Sequence, residues 1–240
     1  AMRRWPVAVG WFVCQGAYGA DVGINGQLCA YDSIEEALVD AVAGDTVYLE
    51  DGSVGSEWDV VVNVDVTITT GGATCAAVAP AVPAIIDSGA GVGGLGGFVI
   101  PVGQVVTFGE LTVRDHGTVG DLGGNFLVKG TLTLADTEVI DGEADAGGGV
   151  YVFGGGVVEM YDRAAVEANG ADLGGGVYVE EGAVLRMFDS SRVADNNAVS
   201  GGGIFSLGTV ELNDFVEIET NGVTGDGGGV YLVGTTAGTL

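Results

Sequence analysis

The amino-acid sequence predicts an all-β protein, a single-stranded parallel β-helix with three strands and about 27 residues per coil, closed at its N-terminal end by a short helix. Glycine triplets followed by an apolar and an aromatic residue recur at Gly147-Gly148-Gly149-Val150-Tyr151, Gly174-Gly175-Gly176-Val177-Tyr178, Gly201-Gly202-Gly203-Ile204-Phe205 and Gly227-Gly228-Gly229-Val230-Tyr231, at intervals of 27, 27 and 26 residues. Repetition at such a period marks stacked units, none of which can bury its apolar face alone. Within a repeat lie three short alternating segments. In the clearest copy they are Val177-Tyr178-Val179, Val184-Leu185-Arg186-Met187 and Arg192-Val193-Ala194. Gly, Asp and Asn separate them, and no stretch is long enough for an interposed helix.

Stacking coils one strand spacing apart, about 4.8 Å, places residues one period apart above one another. Val158, Leu185 and Val210 then form one apolar column, Met160, Met187 and Leu212 a second, and Val166, Val193 and Ile218 a third. Between the first two runs an outward column, Glu159, Arg186 and Glu211, whose alternating charge favours the register. Asp162, Asp189 and Asp214 each precede Asn169, Asn196 and Asn221 by seven residues, so both types form ladders at corners. Weaker copies begin at Gly123 and Gly96, with earlier rungs at 66–69 and 47–49. The β-helix therefore spans residues 47–240 as one domain, with room for roughly seven coils at this period.

The cap occupies residues 20–46. Ser33-Ile34-Glu35-Glu36 carries the capping-box pattern. Ile34, Ala37, Leu38, Ala41 and Val42 then share one face of a helix over 33–43, stopped at Gly44. Ahead of it, Arg3 and Arg4, the apolar run 5–13 and the small residues Ala17 and Gly19 read as a secretory leader over residues 2–19; the alternative is an early strand of the fold. At the other end the chain stops in mid-coil. An open last coil is expected to continue in a longer rod or to stack end to end on a second copy. Cys29 and Cys75, an even pair, suit one disulfide in an oxidising compartment, or else two buried thiols.

Charge excludes partners. Thirty-three acidic residues face 7 basic ones, for a formal charge of -26. Such a field repels nucleic acid and anionic lipid, and no run in the mature chain is long enough to span a membrane.

The segments Val166-Glu167-Ala168-Asn169, Val193-Ala194-Asp195-Asn196 and Ile218-Glu219-Thr220-Asn221, taken with the glycine triplets, resemble the GGxI and FxxN repeats of polymorphic outer-membrane proteins. More broadly, with the opening Ile34-Glu35-Glu36-Ala37-Leu38 through Gly44-Asp45-Thr46-Val47, the chain is similar to pectin-lyase-like β-helices over residues 29–240. The resemblance implies a right-handed helix and a bacterial cell-surface or secreted setting with an adhesive or structural role. It departs in having Val or Ile where FxxN has Phe, and no C-terminal barrel.

Similar folds include polysaccharide lyases and glycoside hydrolases, which use carboxylate clusters, with Ca²⁺ and a basic residue in the lyases. Arg163, Arg186 and Arg192 beside the Asp ladder, and Arg114-Asp115-His116, are the residues that chemistry would draw on. A site needs exceptions to the repeat, and the ladders are regular, so a non-catalytic stalk is expected and a lyase or glycan-binding module is the alternative. His116 beside Gly117 reads as a solvated turn residue. Asp136, Asp162, Asp189 and Asp214 are weak Ca²⁺ candidates, or else accept backbone N–H bonds at turns; no other cofactor is expected. Tyr151, Tyr178, Phe205 and Tyr231 offer either a stripe for stacking on a surface glycan of a host or other cell, or a ring ladder that rigidifies one face.

Overall fold

A computed structural model describes residues 22–26, 29–55, 59–72, 75–87, 97–117, 120 and 122–233. The expected leader and the open C-terminal end lie outside the described residues. The described chain is a β-solenoid of about five turns with about 27 residues per turn. The expectation of seven equal coils fails at the N-terminal side. Asp45 pairs with Val66, a step shorter than the repeat, and Val66 pairs with Val106, a step much longer than it. The following rungs, Val106 to Leu132, Val158, Leu185 and Val210, keep close to the expected period.

Three long sheets enclose the core, and all their strands pair in parallel except at the N-terminal edge. The largest has eight strands, running from β1 (Val22–Ile24) and β2 (Asp45–Leu49) to Thr209–Leu212. The apolar columns are as expected: Val158 pairs with Leu185 and Leu185 with Val210, while Val166 pairs with Val193 and Val193 with Ile218. Leu185, Met187 and Val193 are fully buried. In the middle coils three phenylalanines fill the interior. Phe108 meets Phe98 and Phe126 edge-on at 4.9 Å each. Burying such a ring contributes about 1.5–3 kcal/mol, and each edge contact about 0.5–1.5 more.

A fourth sheet, unforeseen in the three-strand reading, joins the later coils through Glu143–Ala146, Gly170–Leu173, Asn197–Ser200 and Gly222–Val223. Ala146 and Leu173 from this sheet pack with Tyr151 and Tyr178 in a second apolar cluster outside the main core.

The cap differs in detail from the 33–43 helix. Helix α1 spans Ile34–Asp40, with Ala41 already extended. Ser33 Oγ accepts from Glu36 N at 3.0 Å, but Glu36 Oε2 reaches back to Asp32 N, one residue further than a capping box. The helix stops early because Asp45 Oδ2 takes the Val42 N–H at 2.8 Å. Val42 is accordingly 63% exposed rather than on the buried face, which Ile34 and Ala37 supply. Strand β1, antiparallel to β2, covers the first edge together with the helix. Cys29 and Cys75 form a disulfide with Cα atoms 5.3 Å apart, tying the β1 side of the cap to a loop of the long coil between Val66 and Val106.

Candidate functional site

The corners form two columns of left-handed residues. Glu110, Asp136, Asp162, Asp189 and Asp214 have φ of 52, 47, 58, 57 and 64°. Aspartate tolerates this region better than most residues. Asp162 N donates to Asp189 Oδ2 at 3.2 Å, and Asp136 Oδ1 takes Arg163 Nε at 2.8 Å. Among the described residues no three His, Cys, Asp or Glu side chains converge as a metal cage would require. The second column, Asp115, Asp141, Ala168, Asp195 and Thr220, aims the following residue inward.

Those following residues make the Asn ladder. Asn169 and Asn196 are buried and Asn221 is half-buried. Each amide nitrogen donates to a backbone carbonyl, Asn169 to Val139, Asn196 to Val166 and Asn221 to Val193, at 2.9–3.0 Å. Each carbonyl oxygen accepts from the preceding coil: Asn196 Oδ1 from Asn169 N and Nδ2, Asn221 Oδ1 from Asn196 N and Nδ2, all at 3.0 Å. The backbone groups fix which end of each amide is oxygen, so the chain of bonds runs one way.

The ladder continues upstream through residues that sequence reasoning missed. Asn125 Nδ2 donates to Asn169 Oδ1 at 3.2 Å and to Ile140 O at 3.1 Å. Its Oδ1 therefore faces His116 Nδ1, 3.0 Å away, and that nitrogen carries the proton. His116 is 1% exposed and packs near Phe98. The solvated-turn reading of His116 is thus wrong: left-handed Asp115 turns its ring inward at the ladder position of its own coil.

The third glycine of each triplet is small because the ladder needs the space. A Cβ at Gly149, Gly176 or Gly203 would lie 3.0, 2.9 or 2.8 Å from the amide nitrogen of Asn169, Asn196 or Asn221. In the coil of Asn125 the roles are exchanged: the triplet position holds Asn and the ladder position holds Gly142.

The aromatic column is an inter-coil stack. Tyr151–Tyr178, Tyr178–Phe205 and Phe205–Tyr231 have centroids 4.8, 5.3 and 5.2 Å apart and near-parallel planes. Tyr151 and Phe205 are buried, and Ala146 and Leu173 of the fourth sheet pack with Tyr151 and Tyr178, the arrangement of the ring ladder among the two alternatives. Burial first, then the bond to Glu180 Oε1 at 2.8 Å, pushes the Tyr151 hydroxyl well above its ordinary pKa. On the first sheet Arg186 joins Glu159 at 3.1 Å and Glu211 at 2.9 Å.

One face departs from the repeat. On the third sheet, seven strands running from Val54–Gly55 to Glu217–Glu219, the outward column reads Ile85, Thr112, Glu138, Ala165, Arg192, Glu217, changing character at every coil. A groove of about 490 Å³ lies along it, lined by Leu111, Thr112, Asp136, Glu138, Arg163, Ser190, Arg192 and Glu217. From Thr112 to Glu217 it extends about 19 Å at the strand spacing. Arg163, its side chain 83% exposed, is held through Nε by Asp136, and Arg192 through Nε by Glu167. Phe215, 82% exposed, follows Asp214 at the corner and donates its N–H to Asp189 O. The structure thus brings Arg163 and Arg192 together in one groove; Arg186 lies on another sheet, and Arg114 pairs with Asp87. No described helix is long and apolar enough to cross a membrane. No protein-family model, curated protein or solved structure matches the chain.

Proposed function

We propose that the chain is a secreted or cell-surface bacterial β-helix module, right-handed as its resemblance implies, that acts as an adhesive or structural stalk and contacts its target through the third-sheet groove. The observation that carries this reading is the contrast between faces. The repeating polar columns, the Asn ladder and the Glu159–Arg186–Glu211 run, are spent on joining coil to coil. Among the described residues, the third-sheet column combines changing chemistry with a continuous groove. An open groove holding guanidinium, carboxylate and hydroxyl groups suits an extended polar chain such as a surface glycan, bound by hydrogen bonds rather than by net charge. Bridged Cys29 and Cys75 are consistent with an oxidising compartment.

The test is a polysaccharide and host-surface array probed with the purified protein, with and without Ca²⁺, beside Arg163→Ala and Glu217→Ala, two groove-lining residues. Both side chains are exposed, so their loss leaves the fold intact. Binding that both variants weaken supports the groove. Retention by a surface unaffected by either variant places the contact elsewhere. A second reading, a carbohydrate-active β-helix, draws on Asp136, Glu138 and Glu217 sharing this groove with two arginines; turnover of a polyuronate by the pure protein would establish it in place of the stalk.

A further inference from the structure

The corner between the first and third sheets breaks its own pattern in one coil. Phe188 N and Asn213 N donate to Met160 O and Met187 O, which sets Tyr161, Phe188 and Asn213 in one column, each just before a left-handed aspartate. Tyr161 and Phe188 stack there at 4.7 Å with planes 5° apart. In the next coil polar Asn213 takes that place, and the ring stands beyond the aspartate, at Phe215. Ser190 N and Phe215 N donate to Asp162 O and Asp189 O, so Phe215 continues the column of Arg163 and Ser190, two residues that line the groove. Glu217, also in the lining, lies two residues further along the chain. Phe215 therefore stands at the C-terminal end of the groove. It is 82% exposed, while every other described aromatic ring is buried or half-buried. The exception to the repeat falls where the groove ends.

Resting on the reading of the groove as a glycan site, we propose that Phe215 is its stacking platform and that the sugar it takes is a neutral, gluco-configured, β-linked pyranose. Such a ring carries its substituents equatorially, so each face presents only axial C–H groups, which an uncharged phenyl ring covers without leaving a hydroxyl dry. An axial hydroxyl would interrupt that face. The charge of the site selects against an acidic sugar. Asp136, Glu138 and Glu217 in the lining, with Asp162, Asp189 and Asp214 along the corner, stand against two guanidinium groups. Each of these already gives its Nε to a carboxylate, Arg163 to Asp136 and Arg192 to Glu167. Their Nη groups remain as donors for hydroxyl oxygens, while Ser190 and the carboxylates accept from sugar hydroxyls. The groove thus offers a neutral chain both kinds of hydrogen bond, and Phe215 offers one of its rings an apolar face.

The experiment titrates cellohexaose, laminarihexaose and the acidic hexagalacturonate into the purified protein, Phe215→Ala, Phe215→Tyr and Arg163→Ala by calorimetry. Phe215 is exposed, so its loss leaves the fold intact, and equal denaturation midpoints check this. At least one neutral hexasaccharide is expected to bind, and more tightly than hexagalacturonate. Phe215→Ala should weaken that binding about tenfold, the size of one stacking contact, whereas Phe215→Tyr, which keeps the ring, should stay near the parent. In proton NMR the C–H signals of the bound sugar should shift upfield under the ring current, and Phe215→Ala should abolish the shift. Neutral binding that Arg163→Ala weakens and Phe215→Ala does not overturns the platform and leaves the groove reading standing. Tighter binding of hexagalacturonate overturns the sugar class. Binding of neither neutral chain overturns the whole proposal, and the groove reading is then decided by the array with Arg163→Ala and Glu217→Ala.

Discussion

Asn125 fills the corner that Gly142 leaves open: a Cβ built on Gly142 would lie 2.5 Å from Asn125 Nδ2. The two positions belong to one coil and trade the roles played by Asn169 and Gly149 in the next. Asn125→Gly should cost about 2–3 kcal/mol, because Ile140 O, Asn169 Oδ1 and His116 Nδ1 each lose a partner in a dry interior. Gly142→Asn alone should cost more, through overpacking. The double variant, which restores the regular order, should recover at least half of the summed loss, and a double-mutant cycle measures this coupling. Additive losses would show the exchange to be incidental.

Asn196 is bonded on both sides, so Asn196→Ala leaves Val166 O, Asn169 N and Asn169 Nδ2 without it. The expected loss is about 3 kcal/mol, larger than for half-buried Asn221→Ala. Calorimetry on the two variants checks the order, and equal melting temperatures would contradict it.

Thr220 holds φ of 51°, a conformation that a β-branched residue adopts only under strain. Asp195 occupies the same position one coil earlier without that penalty. Thr220→Asn should raise stability by about 1 kcal/mol, read as a higher denaturant midpoint at unchanged slope.

Leu185 lies fully buried between Val158 and Val210. Leu185→Ala should cost about 3 kcal/mol. Leu185→Asp, which places a carboxylate in the same column, should abolish cooperative unfolding at neutral pH. A folded Leu185→Asp protein with an unchanged spectrum would contradict the stacking.

Arg186→Met leaves Glu159 and Glu211 without the cation between them, two coils apart in one column. As the three side chains are partly exposed, the cost should be about 1 kcal/mol at low salt. It should shrink in concentrated salt, where the screening length falls to about 3 Å. A loss that ignores salt would assign the role of Arg186 to packing.

What the sequence makes legible here is whatever obeys the coil period. The columns through Leu185, Met187 and Val193 and the ladder at Asn169, Asn196 and Asn221 all rest on that period. The fourth sheet was hidden because its strands, such as Glu143–Ala146 and Asn197–Ser200, are polar, short and set among the Gly, Asp and Asn that normally signal turns. Burial of His116 was hidden for a different reason: its place in the ladder shows only after Val113 is aligned with Val139 and Val166. The long step between Val66 and Val106 breaks the period altogether. The groove carries little repeat signal, since apart from Asp136 of the corner ladder its charged lining, Glu138, Arg163, Arg192 and Glu217, stands where neighbouring coils differ.

The one-way sense of the amide bonds bears on how the rod is assembled. Before the coil of Asn196 arrives, Asn169 already presents its backbone N–H and its Nδ2 toward the vacant next position, and Asn196 later presents the same pair to Asn221. Each finished turn therefore offers a two-pronged donor that only a correctly phased carbonyl can fill, while α1 and β1 close the opposite end. Such a chain has a growth front at one end only. Folding that zips from the capped end as the polypeptide is delivered N-terminus first would meet each register choice once, with its template already in place.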